Sequence, residues 1–244
     1  MAQAFETDQG YGGQTVLGLI VLTTDETIEP ELASVFTPSR VPVYHSRIAF
    51  EEEVTPETLG RMEQDLPASA RMLSKGLNYG AIGYGCTSGA TVIGADRIAE
   101  LVNGVHPDTP VTNPITAVIA ACKALKAKKI GFLTPYVADV SAMMRGVLER
   151  EGFEIAEFLS FEEIRDSVVA RITEKSTLDA VKQLGQSDCD VVFTSCTNLR
   201  AFGIIEEAEA AIGKPVISSN SALAWHMAHL AGLDVDGPGR LFSV

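Results

Sequence analysis

Short apolar segments alternate with longer amphipathic segments along almost the whole chain, and this alternation constrains the fold more than any other feature. The apolar segments include "TVLGLIVL" (15–22), "YGAIGYG" (79–85), "KIGFLT" (129–134) and "CDVVFTS" (189–195). Each precedes a stretch long enough for a helix. Strand followed by helix, repeated this often, is typical of α/β proteins with mostly parallel sheets and helices on both faces.

The patterns also predict where several helices begin and end. A helix over 55–76 begins at Thr55, with a proline in its first turn. One helix is predicted over 88–104 and another over 198–213, each closed by a glycine, and a long helical stretch over 162–184 is predicted with an interruption near "TEKSTL". A chain of 244 residues favours a single body made of two lobes. We predict an N-terminal tail over 1–14, a first lobe from 15–127 plus 219–244, and a second lobe from 128–218.

The charge balance limits the possible partners. A formal net charge of −13 argues against binding of nucleic acid phosphates, which needs clustered Lys and Arg. An anionic substrate would therefore be held by backbone N–H groups and hydroxyls. No apolar run approaches the roughly 18 residues of a membrane span, and the N-terminus does not resemble a signal peptide. A cytoplasmic protein without membrane partners is expected.

Four cysteines without a secretion signal predict free thiols rather than disulfides. No cysteine–histidine cluster indicates a metal site, and His226 and His229, one helical turn apart, have no third ligand beside them. No Walker loop or dinucleotide fingerprint is present, so no cofactor is predicted.

Four turns join a predicted strand to the next helix, at 23–27, 86–89, 134–136 and 195–198. Ligands of parallel α/β sheets bind beyond the carboxyl ends of the strands. We therefore expect the functional residues in these turns.

Two of these turns place a cysteine before a threonine, Cys86–Thr87 and Cys196–Thr197, and Ser88 and Asn198 follow. A helix N-terminus after each cysteine would lower the pKa of its thiol, and the neighbouring hydroxyl, amide and N–H groups could hold a carboxylate. The alternative is that both are small buried residues at strand ends. Cys122 and Cys189 are predicted to be structural.

Two thiols on opposite sides of one small ligand suit two kinds of chemistry. One thiol can remove a proton and the other return one, or a thiolate can add to the ligand and later leave.

Five segments in order resemble the aspartate/glutamate racemase superfamily, most closely its maleate cis-trans isomerase and arylmalonate decarboxylase branch, which includes ectoine-utilisation relatives. They are "VLTTDETIEPE", "GCTSG", "IGFLTPYVADV", "SCTNLRA" and "KPVISSNSALAWHMAHLAG". The resemblance implies two lobes related by a pseudo-twofold axis, with the active site in the cleft between them. It also implies a homo-oligomer.

By the same resemblance, Cys86 matches the nucleophile of maleate isomerases, Cys196 its acid partner, and Tyr136 a tyrosine that binds a substrate carboxylate. The implied reaction is addition of a thiolate to the double bond of maleate, rotation, and elimination to fumarate. Arylmalonate decarboxylases keep only the second cysteine, so the resemblance ranks decarboxylation below isomerisation for this chain.

The first of the five segments departs from the family at Asp25, which follows Thr24 in the 23–27 turn and replaces an asparagine of maleate isomerases. An ionised Asp25 would attract an ammonium group and so favour racemisation of an aspartate-like amino acid. Alternatively Asp25 caps the following helix. A second binding residue of the family has no confident match, and Asp166 is the nearest candidate.

Two enzymatic hypotheses therefore stand first, a cis-trans isomerase of a C4-type dicarboxylic acid and a two-base amino-acid racemase. From another class, a ligand-binding module also fits two α/β lobes around a cleft.

Overall fold

Two four-stranded parallel sheets form the centre of the computed structural model, which describes residues 2–11, 14–37 and 40–244. The strand order is β2-β1-β3-β4 in the first sheet and β6-β5-β7-β8 in the second. If the four strands of each sheet are numbered in chain order, both sheets have the order 2-1-3-4. The predicted α/β class and the two-lobed arrangement are confirmed.

The strands are β1 (Val16–Leu22), β2 (Val43–Ile48), β3 (Tyr79–Gly85), β4 (Val111–Thr112), β5 (Lys129–Thr134), β6 (Glu154–Ser160), β7 (Val191–Thr194) and β8 (Val216–Ser218). The helices are α1 (Ile28–Ala33), α2 (Pro56–Arg71), α3 (Thr87–Ile93), α4 (Ala95–Asn103), α5 (Pro114–Ala124), α6 (Ala138–Arg150), α7 (Asp166–Val169), α8 (Glu174–Leu184), α9 (Ile205–Ile212) and α10 (Ser219–Leu230). Short 3-10 helices cover Phe202–Ile204 and Arg240–Ser243.

The central strands are apolar because helices cover both faces of each sheet. Every residue of β1 is buried, as expected for a continuous apolar run in a parallel sheet. In the second sheet, Phe132 of β5 is paired with Phe193 of β7, and their rings stack with centroids 5.3 Å apart. One continuous apolar cluster contains residues of both sheets, so the two lobes share a core.

Three predicted helices are divided or shortened. The helix predicted over 88–104 is α3 and α4, separated at Gly94, whose φ of 93° interrupts the helix. The stretch over 162–184 is the short α7 and then α8, which Thr173 caps by accepting a hydrogen bond from the Ser176 N–H. The helix predicted over 198–213 begins only at Ile205.

The predicted helix start at Thr55 is confirmed, because its hydroxyl accepts the hydrogen bond of the Thr58 N–H and Pro56 is the first helical residue. Helix α10 packs on α5 and on β3, a strand of the first sheet.

The lobe boundaries given above stay a prediction. Within the predicted tail, residues 2–11 are exposed, while 1, 12 and 13 lie outside the described residues. Among the helices of the described ranges, none combines the length and apolar character that crossing a bilayer requires.

Candidate active site

Cys86 follows β3 directly and occupies the N-cap position of α3, as predicted. Its sulfur accepts a hydrogen bond from the Gly89 N–H at 3.2 Å and lies 3.7 Å from the Ser88 hydroxyl oxygen. The turn therefore supplies the Cys86 sulfur with one N–H donor and one hydroxyl.

Cys196 lies two residues after the end of β7 and has a φ of 98°, which is rare for a residue with a side chain. Its sulfur accepts a hydrogen bond from the Asn198 N–H at 3.3 Å. The predicted helix N-terminus after Cys196 is wrong, because residues 198–201 are held in irregular structure. The Arg200 guanidinium there donates to the Ile172 carbonyl, and the Ala201 N–H donates to Glu31.

The two cysteine turns are in direct contact. The hydroxyl of Thr197, next to Cys196, donates to the carbonyl oxygen of Gly85, next to Cys86, at 3.3 Å. Ser219, the first residue of α10, forms a second link. Its hydroxyl oxygen accepts the Cys196 N–H at 3.0 Å and lies 2.8 Å from the hydroxyl oxygen of Thr87.

Both thiols are buried, at 3% exposure for Cys86 and 2% for Cys196. Burial raises the pKa of the Cys86 thiol to about 12, and it raises the pKa of Cys196 well above its usual value. The predicted lowering of both pKa values by helix dipoles is therefore wrong in the resting structure. The loss of solvation outweighs the N–H donors, and the nearby carboxyls of Asp25 and Asp166 add to the rise.

Tyr136 follows β5 and lies between the two turns. Its buried hydroxyl is beside the Cys196 thiol, and burial, followed by the proximity of Cys196 and Cys86, raises its pKa well above the usual value. Its carbonyl oxygen accepts hydrogen bonds from the hydroxyls of Ser141 and Ser160, which fix the turn.

The side chain of Asp25 lies at the start of α1 and is 4% exposed. Its Oδ1 accepts hydrogen bonds from the N–H groups of Thr27 and Ile28, each at 2.8 Å. Asp25 thus caps the start of α1 through Oδ1, as one of the two interpretations predicted. Its Oδ2 is buried without a hydrogen-bond partner. The Thr197 hydroxyl lies near this carboxyl, but its hydrogen bond goes to Gly85.

Asp166, the candidate without a confident family match, is brought to the same region. Its Oδ2 accepts a hydrogen bond from the half-buried Thr24 at 2.6 Å. Burial raises the pKa of this carboxyl, and the Thr24 hydroxyl opposes the rise. The hydroxyl hydrogen of Thr24 is therefore used by Asp166, and the substrate-binding role of Thr24 stays a prediction.

Asn198 joins the two halves of the site. Its Nδ2 donates to the carbonyl oxygens of Thr24 and Asp166 at 3.3 and 3.2 Å, and its Oδ1 accepts the Glu26 N–H at 2.9 Å. Both amide hydrogens are used by the main chain. These contacts make Asn198 a link between the two lobes, and its substrate-binding role stays a prediction.

The sequence interpretation missed Ser219 and Glu31. Ser219 follows β8 in a fifth strand-to-helix turn, so the rule that located the other four turns would have found it. Glu31 reaches from α1 to the N–H groups of Ala201 and Phe202 and to the Asn220 amide. Burial raises its pKa to about 7. Nothing in its local sequence distinguishes it from an exposed helical glutamate.

The polar lining of the site consists of hydroxyls, amides and carboxyls. Within the described ranges, no lysine or arginine is buried. No group of three His, Cys, Asp or Glu residues able to hold a metal ion occurs in the part of the chain that the structure describes. His226 is 2.8 Å from the Thr112 hydroxyl through Nδ1, and His229 stacks on Trp225.

A family model described as arylmalonate decarboxylase matches residues 17–242 of this chain. The chain belongs to the arylmalonate decarboxylase family. The match covers both cysteine turns and both sheets, so the whole site described above lies within the family's extent.

The relatives of this arylmalonate decarboxylase family member include two kinds of enzyme, maleate isomerases and an arylmalonate decarboxylase. A maleate isomerase of Pseudomonas putida is 25% identical over 245 residues, covering 93% of this chain and 96% of the relative. The arylmalonate decarboxylase of Bordetella bronchiseptica is 28% identical over 196 residues, covering 78% and 81%.

Among solved structures, a cysteine-to-serine mutant of the Nocardia farcinica maleate cis-trans isomerase with a covalently bound succinylcysteine intermediate matches with a TM-score of 0.85. It is 23% identical and covers 93% of this chain and 98% of that one. At this identity the likeness shows the fold.

Proposed function

We propose that this protein is a cofactor-independent cis-trans isomerase of a small unsaturated dicarboxylic acid of the C4 type, with conversion of maleate to fumarate as its model reaction. Cys86 is the nucleophile and Cys196 the general acid. The observation that carries the proposal is the direct contact of the two cysteine turns through Thr197 and Gly85, because it brings two buried thiols, one from each sheet, to the same region.

The proposed reaction begins with Cys86 as thiolate, its proton having gone to water, and Cys196 as thiol. The Cys86 sulfur bonds to one alkene carbon, and the π electron pair moves to the other carbon. That carbon takes the Cys196 proton, which leaves a single bond about which the substrate rotates. The Cys196 thiolate then removes the proton, the double bond re-forms, and the Cys86 thiolate leaves.

The groups that surround the Cys86 sulfur bear on how its thiolate, the proposed nucleophile, is stabilised. Because burial raises its pKa to about 12, the thiolate is scarce at neutral pH, and the Gly89 N–H and Ser88 hydroxyl are the groups placed to stabilise it. We therefore expect kcat to increase with pH across the neutral range. Tyr136, Thr87, Ser88 and Thr197 are proposed to bind the substrate, Tyr136 through its hydroxyl and the other three through their main-chain N–H groups. The described residues offer the site no buried lysine or arginine for this role.

The relatives add support of two kinds. The Pseudomonas putida maleate isomerase aligns over nearly the full length of both chains. The Nocardia farcinica structure holds a succinylcysteine, the covalent species expected when a cysteine adds to maleate, in a protein of the same fold.

Proton NMR tests the proposal directly. Incubation with maleate should replace its vinyl signal with that of fumarate. Parallel incubations in D2O with L-aspartate and with an arylmalonate measure the other two chemistries, through deuterium entry at Cα and through loss of CO2. Turnover of either alternative, with maleate unchanged, would refute the isomerase assignment.

Cysteine variants test the two roles. Cys86→Ala and Cys196→Ala should each abolish isomerisation. Cys122→Ala is the matched control, because Cys122 is fully buried in α5 and, within the described residues, has no hydrogen bond to either cysteine turn. A fully active Cys86 or Cys196 variant would contradict the two-thiol mechanism.

A further inference from the structure

The carboxyl group of Asp25 is fixed through one oxygen and unpartnered through the other. Two main-chain N–H groups, of Thr27 and Ile28, occupy Oδ1. Oδ2 is buried and accepts no hydrogen bond within the described residues. A buried carboxylate oxygen without a donor costs free energy, so this oxygen is suited to a proton or to a ligand.

The ionisable groups around Asp25 do not neutralise it. From other elements, the carboxyls of Asp166 and Glu31 and the thiols of Cys86 and Cys196 interact with it, and all are neutral or negative. The guanidinium of Arg47, which contacts the main chain of Asp25, donates to the main-chain oxygens of Leu22 and Asp25 and is paired with Glu29.

The residue next to Asp25 also forms an ion pair, and its arginine is likewise paired with a carboxylate other than that of Asp25. Glu26, the next residue along the chain, is paired with Arg171. Burial is the largest cause that raises the pKa of Asp25, to about 6. The two N–H groups at Oδ1 and the nearby Thr197 hydroxyl oppose the rise only in part. The carboxyl can therefore take up a proton near neutral pH.

A dianionic substrate makes protonation more favourable. An ionised Asp25 would place a third negative charge in a site that has no buried lysine or arginine among the described residues. A protonated Asp25 instead presents an O–H donor. Because Oδ1 already accepts two N–H groups, the proton resides on Oδ2, the oxygen that lacks a partner.

We propose that Asp25 is protonated in the substrate complex and donates a hydrogen bond from Oδ2 to a substrate carboxylate, so that the site selects dicarboxylates with uptake of one proton. This deepens the proposed function and rests on it for the substrate class. It replaces the expectation that Asp25 attracts an ammonium group.

Binding of succinate, a saturated C4 dicarboxylate that cannot isomerise, tests the proposal without catalysis. Calorimetry at pH 6, 7 and 8 should show the affinity of the unsubstituted protein falling about tenfold from pH 7 to pH 8, because the bound state needs the proton. Asp25→Asn carries a permanent N–H donor, so its affinity should change by less than about twofold. Asp166→Asn is the matched control and should keep the tenfold fall.

Infrared difference spectra with 13C-labelled succinate provide the direct observation. The label shifts the ligand bands, so a protonated-carboxyl C=O band that appears on binding to the unsubstituted protein, and not to Asp25→Asn, supports the proposal. Affinity independent of pH in the unsubstituted protein, or tighter binding of L-aspartate than of succinate that Asp25→Asn reverses, overturns it.

The outcomes also separate this proposal from the proposed function. If succinate binds with the expected pH dependence but maleate is not isomerised, the isomerase assignment fails and the role of Asp25 stands. If maleate is isomerised and succinate binding is independent of pH, only the role of Asp25 fails. If succinate does not bind at all, the role of Asp25 fails, and the incubation with maleate alone decides the isomerase assignment.

Discussion

The main-chain N–H of Gly89 donates a hydrogen bond to the sulfur of Cys86 at 3.2 Å. The donor lies in α3, one helical turn beyond the cysteine, and the absence of a side chain at Gly89 lets the turn pack closely. A Cβ atom at this position would lie 2.6 Å from the Tyr84 hydroxyl oxygen, 2.8 Å from Met62 Cε and 3.0 Å from the Cys86 sulfur. The position of the proposed nucleophile thus depends on this glycine.

We expect Gly89→Ala to reduce kcat by about tenfold or more, because an added methyl group displaces the sulfur from its N–H donor. Steady-state kinetics with maleate measure the effect. Gly60→Ala is the control, since Gly60 is also inside a helix and its added Cβ would meet nothing nearer than Val92 Cγ1 at 4.0 Å. That control should raise stability by about 0.5–1 kcal/mol and leave kcat unchanged. Equal activity of the two variants would contradict the prediction.

Removal of the Ser219 hydroxyl should loosen the two cysteine turns, because, within the described residues, only the hydrogen bond from Thr197 to Gly85 would still join them. Ser219→Ala leaves the Cys196 N–H buried without its acceptor, which costs about 1–3 kcal/mol of stability. Loss of the link should also lower kcat by about tenfold. Ser218→Ala removes the N-cap of the same helix, at a cost of about 1 kcal/mol, but keeps the link. Urea denaturation and kinetics on both variants distinguish the loss of the link from a general loss of helix stability.

The resting thiol of Cys86 should react slowly with iodoacetamide. With a pKa of about 12, roughly one molecule in 10⁴ carries the thiolate at pH 8. Mass spectrometry of timed samples should show Cys86 alkylated far more slowly in the native protein than after unfolding in urea. Alkylation at the rate of the unfolded chain would show instead that the thiolate is present at rest.

The stability of the protein should depend on the ionisation of Asp25. Its pKa rises from 3.8 in the unfolded chain to about 6 in the folded one, so folding favours the protonated form. This contribution is complete below 3.8 and is lost as the pH rises through about 6. We expect Asp25→Asn to gain roughly 1.5 kcal/mol relative to the unsubstituted protein between pH 5 and pH 7.5.

Urea denaturation of both proteins at the two pH values measures this difference. Glu31 titrates in both proteins, and its pKa is raised mainly by burial and least by the Asp25 charge, so most of its contribution cancels in the comparison. A difference in stability that does not change with pH would show that Asp25 is already ionised at the lower pH.

The sequence alone predicted the strand–helix alternation and the place of Cys86, because both depend on local patterns of apolar residues and caps. It also predicted a turn at 195–198 but not the conformation of Cys196, because hydrogen bonds to Ser219 and Gly85, in other elements, hold this turn and its positive φ. The pKa values of the thiols were also mispredicted. A helix N-terminus can be inferred from sequence, but the extent of burial that outweighs it depends on how the lobes close.

Contacts across the two lobes explain why Glu31 was missed and why the hydrogen bonds of Asn198 were not predicted. Glu31 binds N–H groups 170 and 171 residues further along the chain, and Asn198 binds the carbonyl of a residue 174 positions earlier. Pairings over such distances leave no periodic signal in either segment.

The shared strand order of the two sheets makes each half of the chain a version of one architectural unit, with its cysteine after the third strand in each. The versions differ at the cysteines themselves, where one turn opens a helix and the other does not. A repeat of this kind allows the two turns to have different functions. The repeated sheets position a cysteine at the same point in each half, and one turn can change without affecting the other. The asymmetry of the two thiols is thus a specialisation within an otherwise repeated design.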